Sequence, residues 1–291
     1  MALEIHHNLS HHVYRHYAAK LERLYDRREA EQLSREIILH HTGLPRVRWA
    51  AEREHRLSES EILGIHFDMK RLLEGEPLQY VTGCTTFRGL SLYTGPGVLI
   101  PRPETEELVE WVCHDAGTTP GLRVLDLCTG SGCVAVSLAI VLNQAGVSGT
   151  DLSARALEYA VRNSEKHQAG VIFFQDDLLH PDPRHYAEVW DIITVNPPYV
   201  RESEREAMHP NVRDYEPAEA LFVPDEDALL FYRAAAMHGW EWLSGGGRLY
   251  AEINEALGEA TAALFQELGY TGVVLRKDFY GRDRMLRATR P

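Results

Sequence analysis

The sequence predicts an α/β architecture, a doubly wound and mainly parallel sheet preceded by a small α-helical bundle and a β-hairpin linker. Two observations carry this. From Arg123 onward, apolar β-branched runs alternate with helical patterns, the signature of parallel strands joined by right-handed crossover helices. The first of these runs feeds a glycine turn that opens directly into a helix, as at the ligand-binding end of such sheets. A chain of 291 residues suits about two domains at ~150 residues each.

The elements follow in order. Glu29 to His41 places Leu33, Ile37 and Ile38 at helical spacing and stops at Gly43, with Pro45 beyond. A second helical segment is expected from Val47 to His55. A third opens at Ser58, where Glu61 completes a capping box and Ile62, Ile65, Met69, Leu72 and Leu73 form the apolar stripe. Residues 1–75 therefore read as a helical bundle. From Pro77 to Pro103 the pattern turns to alternation, with Phe87 and Leu90–Tyr93 flanking Gly89 as a hairpin would, which makes 76–103 a linker. Strands are expected at Arg123–Leu127, Val147–Thr150, Val171–Phe174, Trp190–Val195 and Arg248–Ile253. Two last runs, Val273–Leu275 and Met285–Ala288, are separated by too few residues for a crossover helix, so they should close the sheet as an antiparallel pair. Residues 104–291 form the α/β sheet domain of this scheme.

Composition narrows the function. With 25% charged and 44% apolar residues the chain is foldable, not low-complexity. No run of eighteen apolar residues occurs and the amino terminus shows no secretory pattern, so no membrane association is expected and the cytoplasm is the expected address. The net charge of -13 falls entirely in residues 76–291, because residues 1–75 carry twelve basic and twelve acidic side chains. Such a surface is a poor binder of nucleic acid phosphates and suits a basic protein partner or simple solubility. The four cysteines form no Cys-x-x-Cys pair and should be reduced thiols. His6, His7, His11, His12 and His16 include pairs at helical spacing, but without acidic or thiol ligands nearby a solvated helix face is expected and no metal. A monomer is favoured.

Two constellations carry chemistry. In VLDLCTGSGCVAVSLA (Val124 to Ala139), Thr129, Gly130, Ser131 and Gly132 turn a strand into a helix, and glycine there admits close backbone approach by a ligand. Nineteen residues after Gly132, Asp151 ends the next strand, where a carboxylate accepts from ribose hydroxyls; a helix N-cap, a role equally open to Ser153, is its structural alternative. The full Gly-x-Gly-x-x-Gly spacing is absent because Cys128 takes the first position. Asp126 at the strand end would repel a pyrophosphate and suits a cationic amino or sulfonium group, which favours S-adenosylmethionine over a dinucleotide. The second constellation is Asn196-Pro197-Pro198-Tyr199 at the end of another buried strand. Two prolines stiffen the turn and leave carbonyl acceptors, which with the Asn196 side-chain oxygen can grip a planar NH2 group while Tyr199 stacks on the same plane. The target is then an amide or exocyclic amine, held in line with an electrophilic methyl.

These residues resemble the release factor glutamine methyltransferase family. The likeness spans GEPLQYVTG (Gly75 to Gly83), LIPRPETEELVE (Leu99 to Glu110), DLCTGSG, NPPY, DYEPAEAL (Asp214 to Leu221) and GRDRML (Gly281 to Leu286). It implies a Rossmann-like, seven-stranded class I methyltransferase domain that uses S-adenosylmethionine to methylate the glutamine of the Gly-Gly-Gln motif in peptide chain release factors. By position it implies a cofactor site at Asp126, Cys128–Gly132, Asp151, Leu178 and Asn196, with Asp177 facing the adenine. It also implies that Asn196, Pro197, Pro198 and Tyr199 hold the glutamine, and that Arg102 and Glu104 order the linker beside it. The alternatives are a ribosomal-protein glutamine, an adenine amino group in nucleic acid, or, in another class, a dinucleotide-dependent oxidoreductase.

Overall fold

The structure, a computed structural model, describes residues 8–49, 54–186 and 189–291. The chain divides into two compact units, one running up to Gly83 and including His209–Tyr215, the other comprising Cys84–Met208 and Glu216–Pro291.

The first unit is helical. Its helices are α1 (Ser10–Leu21), α2 (Arg27–Thr42), α3 (Glu59–Leu73) and α4 (Leu78–Thr82). The expected signals act as read: Gly43 ends α2 in the left-handed conformation, and α3 opens with the Ser58–Glu61 capping box. Val13, Tyr17, Leu21, Ile37, Ile38, Ile65, Met69 and Leu72 form the core. Arg71 bonds Glu76 and the carbonyls of Tyr80 and Val81, fastening α4 to α3. The helical unit thus runs past the expected boundary at residue 75, because Pro77 starts a further turn of helix that Gly83 closes. Between Val47 and His55 only the tail of a single 3-10 turn, Arg46–Arg48, is described, and residues 50–53 lie outside the described residues. Of the histidines, His11, His12 and His16 lie on α1, while His6 and His7 fall outside the described residues.

The second unit opens with the hairpin β1 (Cys84–Phe87) and β2 (Leu90–Tyr93), whose Arg88-Gly89 turn has positive φ at both positions, the geometry that matches strand twist. Then follow α5 (Pro103–Ala116), β3 (Arg123–Leu127), α6 (Cys133–Val141), β4 (Gly146–Asp151), α7 (Ala154–His167), β5 (Ile172–Gln175), β6 (Trp190–Val195) and β7 (Val200–Arg201). The short helix α8 (Pro210–Tyr215) belongs to the first unit, where the Tyr215 hydroxyl donates to the Glu74 carbonyl at 2.7 Å. β8 (Phe222–Val223), α9 (Leu230–Trp242), β9 (Leu243–Glu252), α10 (Gly258–Glu267), β10 (Thr271–Lys277) and β11 (Asp283–Thr289) complete the chain.

Seven strands form one sheet in the order β10-β11-β9-β6-β3-β4-β5, parallel from β9 to β5 and antiparallel through β11 and β10. Strand alternation sorts the core into two layers. Leu125, Leu127, Ile193 and Val195 face α9 and α10, whereas Val124, Ile192 and Tyr250 face α5, α6 and the hairpin. The chain steps outward from β3 through β4 to β5 and then returns to the other side of β3 as β6. That reversal leaves a crevice beyond the carboxyl ends of β3 and β6. Among the described residues no helix is long and apolar enough to cross a membrane.

Candidate active site

A cavity of about 350 Å³ occupies that crevice. The turn after β3 contributes Asp126 and Cys128 to Ser131, the end of β4 Asp151, the segment after β5 Asp177 and Leu178, and the turn after β6 Asn196 and Pro198. Leu99, Pro101, Arg102 and Thr105 close another side. Gly132, Glu104, Pro197 and Tyr199, all expected at the site, are outside this wall.

Asp126 is almost fully buried, and desolvation pushes its carboxyl up to about 6 against the opposing hydroxyls of Thr129 and Thr194. Those hydroxyls donate to its two oxygens at 2.6 and 2.7 Å. Thr194 reaches it because β3 and β6 pair in a register that sets the two residues side by side. Asp151 accepts from the Gly130 N–H at 2.8 Å and the Ser153 N–H at 2.9 Å, so it fastens the glycine turn to the end of β4. Ser153, not Asp151, caps α7. Each Asp151 oxygen retains a lone pair for a ligand hydroxyl. Asp177 accepts from the Leu179 N–H, fixing the loop that carries Leu178.

Cys128 has a φ of 55°, a left-handed conformation that glycine adopts freely and a cysteine only under strain. Its thiol is pushed well up, first by burial and then by the carboxylates Asp151, Asp126 and Asp177. Gly132, with φ 77°, serves packing: a Cβ there would lie 3.1 Å from Ala160 Cβ and 3.2 Å from Ala160 Cα. It lets α6 and α7 approach, and with them the glycine turn keeps its shape.

Behind the Asn-Pro-Pro-Tyr turn lies a carboxylate that sequence reading missed. Glu252 ends β9 with 1% exposure and accepts the Thr105 hydroxyl at 2.6 Å and the Tyr199 hydroxyl at 2.9 Å. Asn196 Nδ2 donates in turn to Thr105 Oγ1 at 3.4 Å. Tyr199, expected to stack on substrate, instead packs its ring on the core and ties its hydroxyl to Glu252. The buried carboxylate draws it there, since an unpaired charge in that position is costly.

Two further buried side chains brace the wall. Glu216 accepts from Arg102 at 2.6 Å and from the Ile100 N–H at 3.0 Å, so Arg102 is held inward in an ion pair and not spread on the surface. Asn163 on α7 bonds both the N–H and the carbonyl of Tyr93 and also the Ser131 carbonyl, joining the hairpin to the glycine turn.

Residues 108–212 match the methyltransferase small domain family, and residues 9–83 match the PrmC N-terminal domain family, which ends where the helical unit ends. A release factor glutamine methyltransferase of Flavobacterium psychrophilum is 38% identical over 274 residues, covering 93% of this chain and 95% of the relative. The chain belongs to the release factor glutamine methyltransferase family. A second member of that family, from Bacteroides thetaiotaomicron, is 45% identical over 76% of this chain and 78% of its own length. Among solved structures, a methyltransferase of Pyrococcus furiosus superposes with a TM-score of 0.51 at 18% identity, over 70% of this chain and 90% of that one. A 16S rRNA N2 G1207 methyltransferase of Thermus thermophilus, in complex with AdoMet and guanosine, reaches 0.53 at 20% identity, over 72% and 50%. These likenesses give the family methyltransferase fold.

Proposed function

We propose that this chain transfers the methyl group of S-adenosylmethionine to the side-chain amide nitrogen of the glutamine in the Gly-Gly-Gln motif of peptide chain release factors, acting in the cytoplasm. The observation that carries this reading is the sharing of one cavity by Asp126 and Asn196, an acidic group beneath the glycine turn and an amide at the rigid turn. The residues fit the donor. Asp126 suits its cationic amino acid end, Asp151 its ribose, and Val98, Leu152 and Leu178 its adenine. When bound, the donor supplies an electrophilic methyl on a leaving group that needs no acid.

The protein's task is then placement. An amide nitrogen is a poor nucleophile because its lone pair is delocalised, so rate comes from holding it in line and excluding water. Asn196 Oδ1 on the cavity wall accepts one amide hydrogen, the carbonyl of Pro197, next to that wall in the chain, is assigned the other, and Pro198 forms the apolar wall beside them. Arg102, held by Glu216, and Glu104 in the first turn of α5 order the approach to the site.

Incubation with labelled donor and a recombinant bacterial release factor, followed by peptide mass spectrometry, tests the reading. A methyl on the Gly-Gly-Gln glutamine is expected. Donor binding without transfer to that residue overturns the substrate assignment.

Asp126 adds a pH signature. A cationic donor favours the ionised carboxylate, so donor affinity is expected to weaken as pH falls through about 6, approaching tenfold per pH unit below it. Calorimetry between pH 5 and 8 reads this, and Asp126→Asn should flatten the profile. Folding responds in the opposite sense: a carboxyl raised above its ordinary value favours the folded state at low pH, and that contribution is lost as pH rises through about 6.

A further inference from the structure

We infer that Glu252 is the positioning residue that decides which end of the Asn196 amide faces the substrate, acting through the Thr105 hydroxyl, and thereby makes the site select a glutamine over a glutamate. The inference rests on the reading of Asn196 as the acceptor for the substrate amide.

An ionised carboxylate only accepts hydrogen bonds. Both Glu252 oxygens are engaged, one by Thr105 and one by Tyr199. Burial pushes the Glu252 carboxyl above its ordinary range, with Glu104 on α5 adding to the rise, while the two donated hydroxyls and the Arg284 charge on β11 work against it and favour the ionised form. Tyr232 on α9 and Cys133 on α6 also face it, and burial holds both in their neutral forms. Thr105 has one proton, and Glu252 takes it. The Thr105 oxygen is then left only with lone pairs, so the group facing it from Asn196 must be NH2, as the Nδ2 contact at 3.4 Å has it. The opposite rotamer sets lone pair against lone pair. Asn196 Oδ1 is consequently turned away from Thr105. Asn196 and Thr105 both line the cavity, whereas Glu252 and Tyr199 lie behind them. An oxygen presented to the substrate pairs with an N–H and repels a carboxylate. Without the directing carboxylate the amide can turn and present NH2, which a glutamate side chain would accept.

Glu252→Gln keeps the size but can donate to Thr105, whose proton then turns to Asn196. Thr105→Val keeps the shape and removes the relay. Each is expected to lower kcat on release factor by about 10–100-fold with donor affinity unchanged. Each should also strengthen inhibition by a release factor carrying Gly-Gly-Glu relative to binding of the Gly-Gly-Gln form. Thr105→Ser should recover most of what Thr105→Val loses. Tyr199→Phe, which leaves the Thr105 link in place, should lose less. Should Glu252→Gln fail to fold, Thr105→Val decides alone. Wild-type turnover and discrimination in these variants, alongside an inactive Asn196→Ala, overturn the role of Glu252 and leave the site reading standing. A loss of donor affinity in proportion to turnover also overturns it, as a merely structural effect. Wild-type turnover in Asn196→Ala overturns the underlying reading instead.

Discussion

Asn196→Ala is expected to bind the methyl donor almost as well as the wild type and to lose turnover by on the order of 10²–10³-fold, the effect of removing one fixed dipole aimed at a reacting group. The separation of the two effects follows from where the side chain sits. The part of the cavity wall proposed to hold the donor is spread over the turn after β3, the end of β4 and the loop after β5, and removal of one amide leaves it intact. The acceptor proposed at Asn196 Oδ1, by contrast, has no substitute, since the Pro197 carbonyl is already assigned to the second amide hydrogen and the prolines hold the turn rigid. Asn196→Asp sharpens the test. It places an oxygen against the Thr105 lone pairs, so it should also be inactive despite keeping the shape. Calorimetry for donor affinity and initial rates with labelled donor read the two quantities separately.

Gly132→Ala is expected to cost about 2–4 kcal/mol of stability. About 1–2 kcal/mol comes from holding an L-residue in the left-handed region and the remainder from overpacking against the Ala160 backbone and Phe173. For a domain of this size that is a fall in Tm of roughly 4–16 °C. Gly130→Ala is the matched comparison. Its φ is also positive, yet the nearest atom to an added Cβ is Val98 Cγ2 at 4.0 Å, so it carries the conformational cost without the clash. Thermal unfolding of the two variants should therefore differ by the packing contribution. Equal falls in Tm would mean that α7 yields to the new methyl group.

The strands were legible because a buried parallel strand is a continuous apolar run, and β3 and β6 match the expected limits residue for residue. β9 begins at Leu243, earlier than expected, since its Ser244–Gly247 stretch carries no apolar pattern and joins the sheet beside an irregularity in β6. The glycine turn, Asp126 and Asn196 were legible for a different reason: each sits at a strand end, where topology alone brings residues together. What stayed hidden was the layer behind them. Thr105 and Glu252 are 147 residues apart in the chain, and Ile100 and Glu216 are 116 apart. Single polar residues with partners at such distances leave no periodicity. One signal was present: Glu252 ends an apolar strand much as Asp126 does, and a carboxylate in that position has to be bonded by something. The tie from Tyr199 to Glu252 was hidden for the same reason, because its buried partner was not in view.

The cysteine in the donor wall has a chemical consequence. A thiolate is the strongest nucleophile a protein side chain offers, and Cys128 stands in the same cavity as Asn196, where an electrophilic methyl is to be held. Burial and three neighbouring carboxylates keep that thiol protonated, and a protonated thiol attacks slowly. Burial first, and then the same acidic surroundings proposed to suit a cationic donor, would thus guard the chain against alkylating itself.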